Sequence, residues 1–149
     1  MAQREDEKKP KNTKAVEDSL KGDTFPTDWG IFLDDDIRAF FDELFEKTDQ
    51  KKSDVIRKAN LSRTFAYQLM DGKRLGNRDY YLNIALAMSL DMKTTQRMLA
   101  VTHSGGLHPL IKRDAAVMFA INHRYSIEQT YDFMEKLGVP PLKTGAEDE

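Results

Sequence analysis

The residues of this chain best suited to chemistry are its cations. Between Lys51 and Arg78, eight basic side chains (Lys51, Lys52, Arg57, Lys58, Arg63, Lys73, Arg74 and Arg78) stand against only Asp54 and Asp71, a net +6. Residues 31–50 sum to −5, and the whole chain to −2. A positive block inside an acidic chain is a footprint for an anionic partner.

Other chemistries lack their residues. The chain has no cysteine, which excludes disulfides, thiolate nucleophiles and Cys-containing zinc sites. His103 and His108 flank a glycine-rich break with no carboxylate spacing that resembles a metal site. His123 falls near a helix C-terminus, where a cation is favoured anyway. Gly105-Gly106 is followed by no Lys-Ser/Thr, so no phosphate-binding loop is present. Asp34-Asp35-Asp36 reads as a helix start. With no nucleophile, acid–base pair or cofactor cradle, the chain reads as a non-enzyme without cofactor or metal.

The cations sit on a helical framework. At 149 residues, with 40% hydrophobic and 32% charged side chains, the chain suits one water-facing domain. No apolar run approaches the roughly 18 residues of a membrane span, and the N-terminus lacks the apolar core of a secretory signal, so a cytoplasmic location is expected. Ile37, Phe40, Phe41, Leu44 and Phe45 form the stripe of a first helix. A short second helix is expected with Ser53 as N-cap and Val55, Ile56 and Ala59 inward, and a third over about 62–70, ended by Asp71-Gly72. The fourth starts near Asn77 and buries Tyr81, Ile84, Ala85 and Met88; the fifth is capped by Asp91, with Met92, Met98 and Leu99 inward. After Ser104-Gly105-Gly106, Pro109 suits the first turn of a sixth helix with Ile111, Ala115, Met118 and Phe119 on its buried face. Ser126 and Gln129 form a capping box for a seventh, stopped by Gly138.

Two features lie outside this periodicity. Residues 1–30 are almost devoid of apolar side chains before Phe25 and Trp29, and read as a disordered arm whose FPTDWG end packs back or meets a partner. Residues 143–149 read as a frayed acidic tail. The fourth and fifth helices, shifted by 35 residues, also match the sixth and seventh. Arg78-Asp79 falls on Arg113-Asp114, Ala85 on Ala120, Thr95 on Thr130, Asp91 on Ser126, Ile84 on Phe119 and Met98 on Phe133. Two hairpins of one design, stacked in series, are expected.

The stretch KKSDVIRKANLSRTFAYQLMDGKR, Lys51 to Arg74, places a short helix, a tight turn at Asn60-Leu61-Ser62 and a second short helix inside the basic block. It resembles the helix-turn-helix of the lambda-repressor/Cro-like (XRE-type) family, over about Ile37 to Thr102. The resemblance implies a five-helix domain at 31–103; the sixth and seventh helices, beyond it, are expected to form a C-terminal two-helix hairpin at 104–142 packed on it. No segment shows strand alternation, so the fold reads as all-α. The resemblance implies a transcriptional regulator, of a bacterium, phage or mobile element, that binds double-stranded DNA with the helix at about 62–70 in the major groove. Carried over by position, Arg63, Thr64, Tyr67 and Gln68 read bases, while Lys52, Ser62, Lys73, Arg74, Asn77 and Arg78 meet phosphates. Asn60 replaces the usual turn glycine and is the next most tolerant of a left-handed backbone. Ile56 stands where the family has a small residue and Ala66 where it has a β-branched one. The two positions touch in the family's geometry, so the exchange keeps local volume.

Phe65 and Tyr67 are bulky for a groove-entering helix, and Met70 replaces a commonly acidic residue. These three residues carry the competing reading, a protein-interaction adaptor or antitoxin-like protein that keeps the fold. A homodimer fits either reading, as does a protein partner reached through the N-terminal arm or the C-terminal hairpin.

Overall fold

The computed structural model describes residues 13–25 and 36–145. The chain divides into two compact units, residues 1–33 and 34–149. In the first, a short helix α1 (Thr13–Ser19) buries none of its side chains, and Phe25 is exposed. This helix is absent from the sequence reading of the arm; its Lys, Ala and Glu residues are good helix formers, a local preference that low apolar content masked. Trp29, most of the FPTDWG motif, Asp34 and Asp35 lie outside the described residues.

The second unit contains α2 (Ile37–Thr48), α3 (Lys52–Lys58), α4 (Arg63–Asp71), α5 (Arg78–Ala87), α6 (Met92–Val101), α7 (Lys112–Asn122) and α8 (Ile127–Leu137). Among the described residues the fold is all-α, apart from one isolated parallel bridge between Leu61 and Gly145. Local chemistry sets most boundaries. The carboxylates of Asp36 and Asp91 accept from the backbone N–H groups of Ala39 and Thr94, and Ser126 and Gln129 complete the capping box of α8. Gly72 and Gly138, both at φ 74°, end α4 and α8 in the left-handed conformation.

Two expectations about caps and faces need correction. The N-cap of α3 is Lys51, in extended conformation and without a side-chain cap bond; Ser53 lies one position inside the helix. The buried face of α7 is Asp114, Ala116, Val117, Ala120 and Ile121, whereas Ile111 and Phe119 are exposed. Both candidate faces have helical spacing. An acid on the inner one disguised it, and that acid is buried because it has a cationic partner.

That partner shows how the two hairpins meet. Arg78 donates to Asp114 at 2.6 and 3.3 Å, and Arg113 donates to Asp79 at 2.8 and 3.1 Å. Each aspartate also accepts a backbone N–H from the loop that follows the other hairpin, Asp114 from His108 and Asp79 from Lys143, both at 3.0 Å. His108 and Lys143 are themselves 35 residues apart. Thr95 and Thr130 each donate to the carbonyl four residues back at 2.8 Å, and Ser89 and Arg124 both take left-handed backbone, at φ 55° and 56°. The Arg–Asp pairs, the loop N–H bonds and the Arg bonds to the Gly106 and Pro141 carbonyls given by one hairpin are each returned by the other. Such reciprocity is the mark of a two-fold relation, not of translation. The hairpins α5–α6 and α7–α8 therefore clasp one another instead of stacking in series, with α5 against α8 and α6 against α7.

Candidate nucleic-acid interface

Helix α4 has two unlike sides. Phe65, Ala66, Leu69 and Met70 are buried, and α4 packs against α2 and α3. Arg63 and Thr64 are exposed, and Tyr67 and Gln68 half-buried. Positions 63, 64, 67 and 68 share one helical face, so the four side chains expected to read bases are brought together on one strip. The Arg63 guanidinium lies 5.7 Å from the centre of the Tyr67 ring, a cation–π contact that restrains both side chains.

The inner side revises the account of the bulky residues. Phe65 is 3% exposed and meets Tyr80 edge-on at 5.0 Å, and Met70 is fully buried. Both belong to the core, which is why an acidic residue is not found at Met70. Of the three residues that suggested a protein-binding face on α4, only Tyr67 faces outward.

The turn that aims α4 is clamped from the far end of the chain. Asn60 takes φ 58°, the left-handed backbone its residue type suggested. The Gly145 N–H donates to the Asn60 carbonyl at 2.8 Å, and the Ser62 N–H donates to the Gly145 carbonyl at 3.3 Å. Buried Asn83 of α5 donates to the Lys143 carbonyl at 2.7 Å and accepts from the Tyr131 hydroxyl of α8 at 3.0 Å. Residues 143–145, expected to fray, thus run along the turn that precedes α4. Residues 146–149 lie outside the described residues.

The expected phosphate contacts separate into two groups. Lys73 is exposed, Ser62 is half-buried at the N-cap of α4, and Arg74 lies 4.9 Å over the Phe65 ring at the other end of the helix. Among the described residues, no carboxylate pairs with Arg63, Lys73 or Arg74. Asn77 is exposed, and its side chain caps α5 by accepting from the Asp79 N–H at 2.9 Å.

Lys52 and Arg78 are already engaged. Lys52 Nζ lies 2.9 Å from Asp42, and this hydrogen bond holds the Asp42 pKa below its ordinary value. Arg78 spends its guanidinium on Asp114 and on the Gly106 carbonyl at 3.1 Å. Arg78 is thus directed into the hairpin clasp and not toward a phosphate.

The reading of single residues missed Asp79, Asp114 and Arg113 as a working set. The signal was present in the doubled Arg-Asp dipeptide, 35 residues apart. Burial would raise the pKa of Asp79, but the Arg113 and Lys143 hydrogen bonds and the charges of Arg113 and Arg78 outweigh it and hold the carboxyl below the usual range. Among the described residues, no group of three His, Asp or Glu side chains could hold a metal ion, and no helix is long and apolar enough to cross a membrane. No family model, curated protein or solved structure matches the chain.

Proposed function

We propose that this protein is a sequence-specific, double-stranded-DNA-binding transcriptional regulator with α4 laid in the major groove. Helices α2 to α6 then correspond in order to the five helices of a lambda-repressor/Cro-like (XRE-type) domain, and α7–α8 is its C-terminal extension. The observation that carries this reading is the outward strip Arg63, Thr64, Tyr67 and Gln68 on a helix whose opposite side is anchored by four buried residues. Arg can donate two hydrogen bonds to guanine, Gln can pair with adenine, and the Thr methyl suits thymine. Lys73, and Arg74 beside it, supply phosphate contacts that set register without reading sequence. A cytoplasmic location goes with this role.

The test is genome-fragment capture at two salt concentrations, followed by titration of the captured site. Arg63→Ala should cost about 1–3 kcal/mol at the cognate site and relax preference at one base pair. Lys73→Ala should weaken all sequences about equally and lower the salt slope by about one. A chain that captures no preferred fragment, or an Arg63→Ala variant that binds every fragment as before, would end this reading.

A further inference from the structure

The two-fold relation between the hairpins supplies an internal comparison. Ile84, Met88, Leu90 and Met98 of the first hairpin correspond to Phe119, His123, Tyr125 and Phe133 of the second, each 35 residues on. All four members of the first set are buried. They lie on a hairpin against which α2 and α3 pack, and Gln50, between those two helices, donates to the Met88 carbonyl at 3.2 Å. None of the second set is buried: Phe119 is 42% exposed, His123 is exposed, and Tyr125 and Phe133 are half-buried. Three other equivalent pairs on the same helices show no such contrast. Leu82 and Val117, Ala85 and Ala120, and Leu99 and Met134 are buried in both hairpins. One face of a shared design is therefore covered by helices in the first copy and uncovered, among the described residues, in the second.

The uncovered face is aromatic and ordered. The Phe119 ring stacks on His123 at 3.8 Å and on Phe133 at 5.0 Å, and Tyr125 meets Phe133 edge-on at 5.7 Å. His123 Nδ1 and the Phe119 carbonyl lie at 2.8 Å, which fixes the imidazole over the ring. Rings held this way lose little side-chain entropy when a partner arrives.

We propose that the outward face of α7–α8, formed by Phe119, His123, Tyr125 and Phe133, docks an amphipathic α-helix from a partner protein. The occupant follows from the first hairpin, whose equivalent face is closed by helices with apolar stripes, Phe41, Leu44 and Phe45 on α2 and Val55 and Ile56 on α3. The partner helix accordingly carries large apolar residues at helical spacing and lays them across the aromatic stack. This surface is independent of the DNA reading, since neither Arg63 nor Lys73 belongs to it.

The test uses the isotope-labelled full chain and, as probe, a synthetic peptide of residues 36–49, the sequence of α2 with its caps. Saturable amide shifts centred on residues 119–133 are expected. Phe119→Ser, which alters an exposed side chain and should leave the thermal unfolding midpoint close to wild type, should weaken the peptide by at least about tenfold. A peptide with Phe41 and Phe45 changed to serine should give no shifts. Absence of saturable shifts, or equal binding by the Phe119→Ser chain, overturns the proposal. So does a sedimenting dimer of the free chain that Phe119→Ser dissociates, because the face would then belong to a second copy. The peptide readout does not involve DNA, so its failure and that of the DNA reading are separate results.

Discussion

Replacing Arg78 by leucine removes one side of the hairpin clasp and keeps most of its volume. Asp114, 3% exposed as a side chain, would lose both guanidinium bonds and keep the His108 N–H at 3.0 Å. Breaking a buried ion pair from one side typically costs about 3–5 kcal/mol, because the remaining charge is stranded away from water. The Arg78 side chain is 24% exposed and the His108 N–H remains, so the lower end, about 3 kcal/mol, is expected. Equilibrium urea unfolding would read this as a midpoint lowered by roughly 1–3 M, for a slope of 1–3 kcal/mol per M. The sign of the coupling is the sharper result. Adding Asp114→Leu to Arg78→Leu removes the stranded carboxylate, so the double variant should be more stable than Arg78→Leu alone. A single-variant cost below about 1 kcal/mol, or a double variant that costs the sum of the singles, would refute the reasoning and return Arg78 to the surface.

Other consequences follow from the same contacts. Because the native pKa of Asp79 is lowered, the unfolded chain takes up its proton first, near pH 3.9, as pH falls. Stability from this group is therefore complete above that pH and lost below it, and Asp79→Asn should flatten the acid limb of a stability–pH curve. Ala66→Val should destabilise by about 1–3 kcal/mol through overpacking in the α3–α4 core, and Ile56→Ala added to it should recover much of that loss in urea titrations. Strict additivity would show that the two side chains do not share space. Phe65→Ala should cost about 3–5 kcal/mol of folding stability, read by thermal or urea unfolding, because the ring is core and not interface.

What the sequence disclosed and what it withheld divide along physical lines. Helix ends were legible because capping is local: Asp36, Asn77, Asp91 and Ser126 lie within three residues of the N–H they accept from, and Gly72 and Gly138 need no partner to turn left-handed. The outward strip of α4 was legible because Arg63, Thr64, Tyr67 and Gln68 are polar or amphipathic at helical spacing. Arg78 was not. Its charge belongs to the basic block, but its destination, Asp114, is 36 residues away and set by a two-fold that local periodicity does not encode. The inner face of α7 was lost for the same reason, since an aspartate reads as outward until its cation is found. The Gly145 strand bridge to Leu61 had no local signal at all.

The two-fold also leaves the two hairpins in different surroundings. A symmetric pair of hairpins offers two equivalent outer faces, and among the described residues helices cover only one of them. Covering the first with α2 and α3 also places α4, which packs on both, with its polar strip outward. The clasp then carries α8 to the far side of α5, from where Tyr131 and residues 143–145 reach back to Asn83 and to the α3–α4 turn. The second hairpin is therefore connected to the α3–α4 turn through defined hydrogen bonds, while its own outer face is uncovered among the described residues. On this geometry, loosening the clasp should disturb the α3–α4 turn before it disturbs α2. In native-state hydrogen exchange, the Ser62 and Gly145 amides of Arg113→Leu should lose protection earlier than those of Phe41 and Leu44. Equal loss of protection at all four would show that the unit opens as one body and that the clasp has no separate hold on the turn.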